Sequence, residues 1–176
     1  MADESLQLCE PTAALRDEFL AFLNAFAAAG EAQIHGLGPM KGDDFAAEVT
    51  TCADQAAGRN LADSMVPATT RWLVRNGATV IGTVNIRHRL NAFLEHEGGH
   101  IGYSVRPTER GKGYATQLLA MGLELARSLS VRRALLVCDK VNSASAAVIR
   151  KNGGVLENEV VSAKDGRLMQ RYWIPL

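Results

Sequence analysis

The chain contains few cysteines and no excess of either charge, and both features narrow the classes of protein to be considered. Its three cysteines, Cys9, Cys52 and Cys138, lie far apart and form neither a CxxC pair nor a metal-ligand spacing. This pattern favours a reduced, cytoplasmic protein without a bound metal. The 19 Lys and Arg residues balance 19 Asp and Glu residues, so the net charge provides no general attraction to nucleic acid or to a membrane.

Long hydrophobic runs are also missing. The apolar run Phe19–Ala29 is too short to span a bilayer, and acidic residues precede it where a signal peptide requires positive charge. We therefore expect no membrane association. The chain shows no internal repeat, low-complexity tract or convincing linker, which predicts one domain over residues 1–176.

The hydrophobic pattern predicts an α/β fold. Asn76-Gly77 and Asp165-Gly166 each separate two β-prone segments, and such pairs indicate hairpins because they accept the positive φ of a tight turn. The predicted strands are Leu6–Cys9, Thr70–Val74, Ala78–His88, His100–Val105, Ala134–Cys138, Val155–Val161 and Arg167–Ile174. Helices are predicted after Thr12, after Asp43 or Asp44, over Tyr114–Leu129 and after Asn142 or Ser143. This order predicts a mixed, mostly antiparallel β-sheet of about seven strands flanked by helices on both faces.

The most informative stretch is the segment from His100 to Ala115, where a strand, a basic glycine-rich turn and a helix start follow one another. The first amides of a helix have no internal partner and carry partial positive charge, so such a terminus holds an anion, especially a phosphate. Gly111 and Gly113 allow the backbone to approach closely, and Arg106, Arg110 and Lys112 add positive charge. The alternative is a turn whose basic residues are merely solvated.

Two common nucleotide motifs do not fit this segment. A Walker A loop requires Ser or Thr after its GK pair, whereas Lys112 precedes Gly113 and Tyr114 follows it. A dinucleotide fingerprint requires a third glycine where Thr116 stands, and its first glycine lies tight against the strand end, whereas five residues separate Val105 from Gly111.

The segment Arg110–Ala115 matches in full the Q/R-x-x-G-x-G/A motif of the GNAT superfamily of N-acetyltransferases, and the chain resembles that family from about Thr69 to Trp173. Asn142-x-x-Ser145 and Lys151–Gly154 also resemble the family's second half. The resemblance implies a GNAT-like fold in which residues 67–176 bind acetyl-CoA and residues 1–66 form the acceptor side. It also implies acetyl transfer from acetyl-CoA to a primary amine of a small molecule or peptide, by direct attack in a ternary complex.

The resemblance further assigns cofactor contacts. The backbone of Val105 is expected to pair with the pantetheine arm, and the amides of residues 110–115 are expected to grip the pyrophosphate. Asn142 is expected at the pantetheine and Ser145 near the nucleotide end, although both also suit a helix cap and a first-turn polar residue. The implied cofactor-binding residues are Val105, Arg110, Gly111, Lys112, Gly113, Tyr114, Ala115, Asn142 and Ser145.

The predicted catalytic residues are His100, Glu97 and Tyr103. His100 stands close to the position where the family often places its general base, and histidine titrates in the useful range. The alternative is a polar residue that opens a strand. Glu97 and His96, immediately upstream, are the rival bases. In the family a tyrosine often protonates the departing thiolate, but Ile149 occupies that position here. Either Tyr103 or Tyr172 replaces it, or the thiolate leaves unassisted.

Other interpretations remain open at this stage. Cys138 at the end of a strand suits a ping-pong nucleophile or, with no histidine near it in sequence, a small core residue. A CoA-binding sensor without turnover would keep the fold, and an NAD- or FAD-dependent oxidoreductase would bind no CoA. Arg87 and His88 point to opposite faces of their strand, and either can line the acceptor pocket. The sequence leaves open whether the chain forms a homodimer.

Overall fold

Asn76 and Gly77 form the predicted hairpin turn, with φ of 52° and 68°. In the computed structural model, which describes residues 4–176, this turn joins β2 (Ala68–Arg75) to β3 (Thr79–Arg87). The register of the hairpin shifts between Leu73 and Val74, where Val74 pairs with Val80. Positive φ at both turn residues gives the twist that lets the two strands pair directly.

The described chain contains four α-helices and seven strands, with three short helical turns between them. The remaining strands are β1 (Leu6–Cys9), β4 (Ile101–Val105), β5 (Arg133–Asp139), β6 (Val155–Val161) and β7 (Leu168–Pro175). The helices are α1 (Arg16–Ala28), α2 (Phe45–Ala56), α3 (Tyr114–Ser128) and α4 (Ser143–Lys151). The short turns are the 3₁₀ turns Ala13–Leu15 and Pro107–Glu109 and the π-helical turn Leu94–Gly98.

The strands form two sheets. One has the order β1-β2-β3-β4 and the other the order β5-β7-β6, and every pairing within them is antiparallel. The predicted fold class and strand number are confirmed. The division into two sheets was not predicted, because hydrophobic patterning locates strands but does not show which neighbours pair along their whole length.

Two hydrophobic clusters cover the sheets. On one face α3 and α4 bury a core that includes Leu118, Leu119 and Ile149. On the other face α1 presents Phe19, Phe22 and Phe26, which recur at helical spacing and are almost fully buried. The ring of Phe19 stacks on Trp72 of β2 at a centroid distance of 4.5 Å. These contacts attach the N-terminal helices to the first sheet.

The helix caps agree with the sequence pattern in part. Thr12 caps the 3₁₀ turn that leads into α1, since its Oγ1 accepts from the amide of Ala14 at 3.4 Å. Asp44, one of two predicted candidates, caps α2 by accepting from Ala47 at 3.2 Å. Among residues 4–176, no helix combines the length and hydropathy needed to cross a bilayer.

Candidate active site

The gap between β4 and β5 is the feature on which the candidate site is built. The two strands meet at one point, where the amide of His100 donates to the carbonyl of Leu135 at 2.7 Å. Beyond it they belong to different sheets. Arg106 donates its amide to Ile81 of β3, and backbone groups alternate along a strand, so those of Tyr103 and Val105 face the gap. The open edge of β4 can therefore pair with an extended ligand.

A cleft of about 1230 Å³ passes through this gap. Its walls come from β4, β5, the start of α3, α4, the loop before α2, the π-helical turn and the hairpin before β7. The residues predicted to contact the cofactor line this cleft with one exception, and they are Val105, Arg110, Gly111, Gly113, Tyr114, Ala115, Asn142 and Ser145. Lys112 is the exception, and its Nζ lies 2.9 Å from Glu109 Oε2.

The start of α3 presents unpaired amides to the cleft. Gly111 and Gly113 have φ of 77° and 86°, and Gly113 is the N-cap, so no side chain satisfies the first amides of the helix. Within residues 4–176, the backbone N–H groups of the five residues 111–115 have no protein acceptor, while the amide of Arg110 already donates to Pro107. Five free amides at the positive end of a helix dipole form a site for a phosphate group.

The basic side chains near this turn are paired with carboxylates. Arg110 makes a bidentate contact with Glu31 at 2.6 and 2.8 Å, which lowers the pKa of Glu31. This ion pair attaches the loop after α1 to the start of α3. Arg106 points toward α1, where its Nη2 lies 3.5 Å from Glu18 Oε2. The backbone, rather than these side chains, therefore provides most of the free hydrogen-bond donors.

The side chain of Tyr114 is buried beneath the turn. Its hydroxyl donates to Glu4 at 2.8 Å and accepts from Arg75 at 3.1 Å. Arg75 in turn makes a bidentate contact with the buried Glu109, whose pKa is lowered by Lys112 and by Arg75. Tyr114 therefore offers its backbone amide to the cleft, while its side chain positions the turn.

Asn142 and Ser145 line the cleft and also begin α4. Asn142 caps the helix, because its Oδ1 accepts from the amide of Ser145 at 3.0 Å. The Ser145 hydroxyl lies 3.1 Å from that of Tyr103. Burial raises the pKa of Tyr103 to about 12, with the hydrogen bond to Ser145 acting in the opposite direction. Tyr103 therefore keeps its proton at neutral pH and can donate it across the gap.

Cys138 lies beside this hydroxyl pair. The residue is buried on β5, and burial raises the pKa of its thiol, partly offset by a hydrogen bond from Ser145. A raised pKa keeps the thiol protonated, which disfavours it as a nucleophile. Ile149, at the position where a tyrosine was expected, also lines the cleft.

His100 lies outside the cleft. It lines a separate, shallow cavity of about 570 Å³ with Trp173, and its Nδ1 accepts from the amide of Leu135 at 2.9 Å. Burial, and then the charge of Arg87, lowers the pKa of His100 to about 4. Because Nδ1 accepts this hydrogen bond, the neutral imidazole has no free lone pair with which to take a proton. The geometry therefore does not support the predicted role of His100 as the general base. Sequence reasoning could not detect this position of the imidazole. His100 precedes β4, so its side chain does not follow the alternation of side chains along that strand.

The mouth of the cleft beside the start of β4 carries further ionisable groups. Glu97, in the π-helical turn, lines it and accepts from the amide of Ala163 at 3.3 Å. His35 lines it as well, held by a hydrogen bond from its amide to Ser104 Oγ at 2.9 Å. Although the cleft leaves His35 exposed, surrounding protein atoms still desolvate its ring, and with the charges of Arg87 and Arg167 they lower its pKa.

Sequence reasoning missed His35. The loop that carries it is placed by tertiary contacts: the carbonyl of Gly36 accepts from Thr83 Oγ1 at 2.7 Å, and Gly36 adopts a φ of 79° so close to Gly102 that a side chain would collide with the carbonyl of Gly102. A lone histidine next to a glycine in a loop gives no such signal. Of the pair Arg87 and His88, Arg87 lines the cleft and His88 lines the separate cavity.

A metal centre has no counterpart in the described part of the chain, since residues 4–176 contain no cluster of three His, Cys, Asp or Glu side chains that could hold an ion.

Known proteins share this architecture. The N-terminal serine acetyltransferase of ribosomal protein L7/L12 from Salmonella typhimurium aligns over 98% of this chain and 95% of its own, with a TM-score of 0.69 and 17% identity. A GNAT-family acetyltransferase from Streptococcus pneumoniae aligns over 99% of both chains, with a TM-score of 0.66 and 17% identity. The yncA protein from Salmonella typhimurium, solved with its cofactor acetyl-CoA, covers 98% of this chain and 94% of its own, with a TM-score of 0.64 and 16% identity. No curated protein sequence matches the chain significantly.

The acetyltransferase (GNAT) domain family matches residues 13–155. Because this match covers most of the chain, the protein belongs to the GNAT family of acetyltransferases. The predicted family and enzyme class are confirmed, and acetyl-CoA is the cosubstrate that they imply.

Proposed function

We propose that this protein transfers the acetyl group of acetyl-CoA to a primary amine of a small molecule or peptide by direct attack in a ternary complex. The observation that carries this proposal is the cleft through the gap between β4 and β5. At one end it presents free backbone amides at the start of α3, those of Gly111 and of residues 113–115, and at the other it presents an imidazole and a carboxylate. Donor and acceptor can then enter from opposite ends and meet at the middle of β4.

The pyrophosphate of acetyl-CoA would bind to the free amides at the start of α3, and Val105 would pair with the pantetheine arm across the open edge of β4. This arrangement supports the predicted backbone contacts except that of Arg110, whose amide already donates to Pro107. The Ser145 hydroxyl lies 3.1 Å from that of Tyr103 at the middle of β4, and its contact near the nucleotide end stays a prediction. An amide of β4 that faces the gap, that of Val105 or Tyr103, would stabilise the oxyanion of the tetrahedral intermediate.

The attacking amine needs a base. A lysine-like amine has a pKa near ~10.4, so it must lose a proton against about 4.6 kcal/mol at pH 7. We assign this step to His35, because its lowered pKa keeps the imidazole neutral at pH 7 and it lines the acceptor mouth. Glu97, one of the bases predicted from the sequence, lines the same mouth and is the alternative.

The departing thiolate would receive a proton from Tyr103. The amine lone pair attacks the thioester carbonyl carbon, the intermediate collapses with cleavage of the C–S bond, and the thiolate leaves. The Tyr103 hydroxyl stays protonated because its pKa is about 12, and the Ser145 hydroxyl at 3.1 Å orients it. Since a thiol with a pKa near ~8.5 leaves readily, this assistance is smaller than that of the base.

A thiol-release assay tests the proposal. The purified protein is incubated with acetyl-CoA and a panel of amines, amino acids and short peptides, and free CoA is measured with a thiol reagent. Amine-dependent release, together with acetylated product by mass spectrometry, supports catalysis. Tight binding of acetyl-CoA without release by any amine would instead identify a CoA-binding sensor. A homodimer stays a prediction, to be checked by light scattering.

A further inference from the structure

The acceptor mouth contains a guanidinium that forms no ion pair within residues 4–176. Arg87 ends β3 with its side chain half-buried, and it lines the cleft. Its Nη1 donates to the carbonyls of Gly98 and Gly99 at 3.0 and 3.1 Å, which fixes the guanidinium in place. A side chain held by two neutral carbonyls has a defined direction but no charge to balance it.

Other arginines in or near the cleft differ in this respect. Arg110 contacts Glu31, Arg75 contacts Glu109, and Arg167 contacts both Asp139 and Asp165. Within residues 4–176, no carboxylate oxygen lies within 4.0 Å of the Arg87 guanidinium. Desolvation accordingly lowers the pKa of Arg87, and no neighbouring carboxylate raises it.

A desolvated charge is costly unless an opposite charge compensates it. Guanidinium groups bind carboxylates and phosphates through paired hydrogen bonds. Because none of residues 4–176 places a carboxylate oxygen within 4.0 Å of the Arg87 guanidinium, a ligand that enters the mouth can supply the anion.

The position of Arg87 indicates whether the acceptor or acetyl-CoA carries this anion. A Cβ on Gly102 would lie 3.9 Å from Arg87 Nη1, so the guanidinium lies over the start of β4, on the face covered by Gly36. The free amides of α3 follow the other end of this strand, and Val105 at that end lies about 10 Å from Gly102, three residue steps along. The phosphates of CoA occupy that end in the proposed complex. The anion at Arg87 must therefore come from the acceptor.

We propose that Arg87 binds an anionic group, a carboxylate or a phosphate, carried by the acceptor close to its amine. This inference rests on the proposed function. The mouth also contains Glu97, whose carboxylate can contact the ammonium form of the same molecule before deprotonation. A zwitterionic acceptor, such as an amino acid or an aminoalkyl phosphate, supplies both charges.

Matched acceptor pairs test this assignment. Each amino acid is compared with its amide, which lacks the carboxylate, and ethanolamine phosphate is compared with ethanolamine. For the wild-type protein we expect the anionic member of at least one pair to have a kcat/KM at least tenfold higher. The pair that shows the preference distinguishes a carboxylate from a phosphate.

The variant Arg87→Gln should remove this preference. We expect the KM of the anionic acceptor to rise at least tenfold, while the neutral members and the KM of acetyl-CoA change less than about twofold. Arg87→Lys should restore part of the preference, because it restores the charge without the planar fork. Arg89→Gln is the matched control, since Arg89 is exposed at the separate cavity.

Two results would overturn the inference while leaving the proposed function intact. Wild-type protein that acetylates neutral amines as well as their anionic partners has no anion site. Equal losses for both members of a pair in Arg87→Gln would indicate that Arg87 only holds the turn at Gly98 and Gly99. If no amine releases CoA, the proposed turnover fails. Calorimetry then measures the binding of the same acceptor pairs to CoA-loaded protein and tests whether Arg87 binds the anion. A preference that Arg87→Gln abolishes then supports the site, and equal binding overturns it.

Discussion

His100 and Leu135 exchange two hydrogen bonds at the point where the two sheets meet. The amide of His100 donates to the carbonyl of Leu135 at 2.7 Å, and the amide of Leu135 donates to His100 Nδ1 at 2.9 Å. An imidazole thus replaces the backbone acceptor that a continuous sheet would provide. We infer that His100 holds β4 and β5 together at one end and lets them separate toward the other, where the cofactor would enter.

This role predicts a pH-dependent stability. The pKa of His100 is about 4 in the folded chain, against an ordinary 6.5, so the unfolded state binds the extra proton first as pH falls. The stabilisation is complete above pH 6.5 and is lost between about pH 6.5 and 4, by up to about 3 kcal/mol. His100→Gln keeps an acceptor oxygen but cannot ionise, and chemical denaturation from pH 8 to 4 should show a flatter loss for this variant. Parallel losses in both proteins would contradict the assignment.

The amide site at α3 predicts the effect of a negative charge at Gly113. Gly113→Glu should weaken acetyl-CoA binding at least tenfold, or about 1.4 kcal/mol, because its carboxylate would repel the pyrophosphate. Gly153→Glu is a matched control, since Gly153 has the same φ of 86° and open space around it but does not line the cleft. Calorimetry should separate the two variants. Equal affinities would remove the argument for a phosphate site.

The assignment of His35 as the general base predicts that kcat falls when its imidazole is removed. His35→Gln should lower kcat about 10²-fold at pH 7, the usual scale of general-base catalysis, and the loss should shrink as pH rises and the amine deprotonates itself. Because the pKa of His35 is lowered, the wild-type acid limb should lie below pH 6.5. Glu97→Gln is the comparison. If Glu97→Gln loses the activity and His35→Gln keeps it, the carboxylate is the base.

The assignment of Tyr103 as the proton donor to the thiolate predicts a smaller loss of kcat than removal of the base. Tyr103→Phe removes one hydroxyl from the gap and should lower kcat about tenfold, below the ordinary range for acid catalysis because a thiolate leaves readily. Tyr172→Phe is the control, since the Tyr172 hydroxyl is bound to Arg150 and Gln170 away from the cleft. Steady-state kinetics with saturating acetyl-CoA compares them. A larger loss in Tyr172→Phe would reverse the choice between the two tyrosines.

Direct transfer predicts that Cys138 is dispensable. Cys138→Ala should retain most of the activity, since burial raises the pKa of this thiol and keeps it protonated. Intact-mass spectrometry of the wild-type protein with acetyl-CoA alone should show no stable adduct of one acetyl group. An acetylated Cys138 that forms and decays at the rate of turnover would establish a ping-pong route instead.

Much of the architecture follows from local sequence. Asn76-Gly77, the apolar spacing in α1 and the glycines at 111 and 113 each determine a turn, a helix face or a helix start through short-range sterics. For the same reason the amides of residues 111–115 could be located from the sequence, because a helix start leaves them unpaired wherever the helix lies.

The residues that line the acceptor mouth are brought together by contacts between distant parts of the chain. His100 has the residue type and approximate position of a base, yet its imidazole pairs with Leu135 and lines a separate cavity. His35 has no motif, yet Ser104 and Thr83 bring its loop onto β4. Sequence spacing determines backbone geometry over a few residues, whereas the direction of a side chain near a strand end and the charge around it are set by tertiary packing. Only the folded chain therefore shows that Arg87 lines the cleft and that, within residues 4–176, no carboxylate oxygen lies within 4.0 Å of its guanidinium.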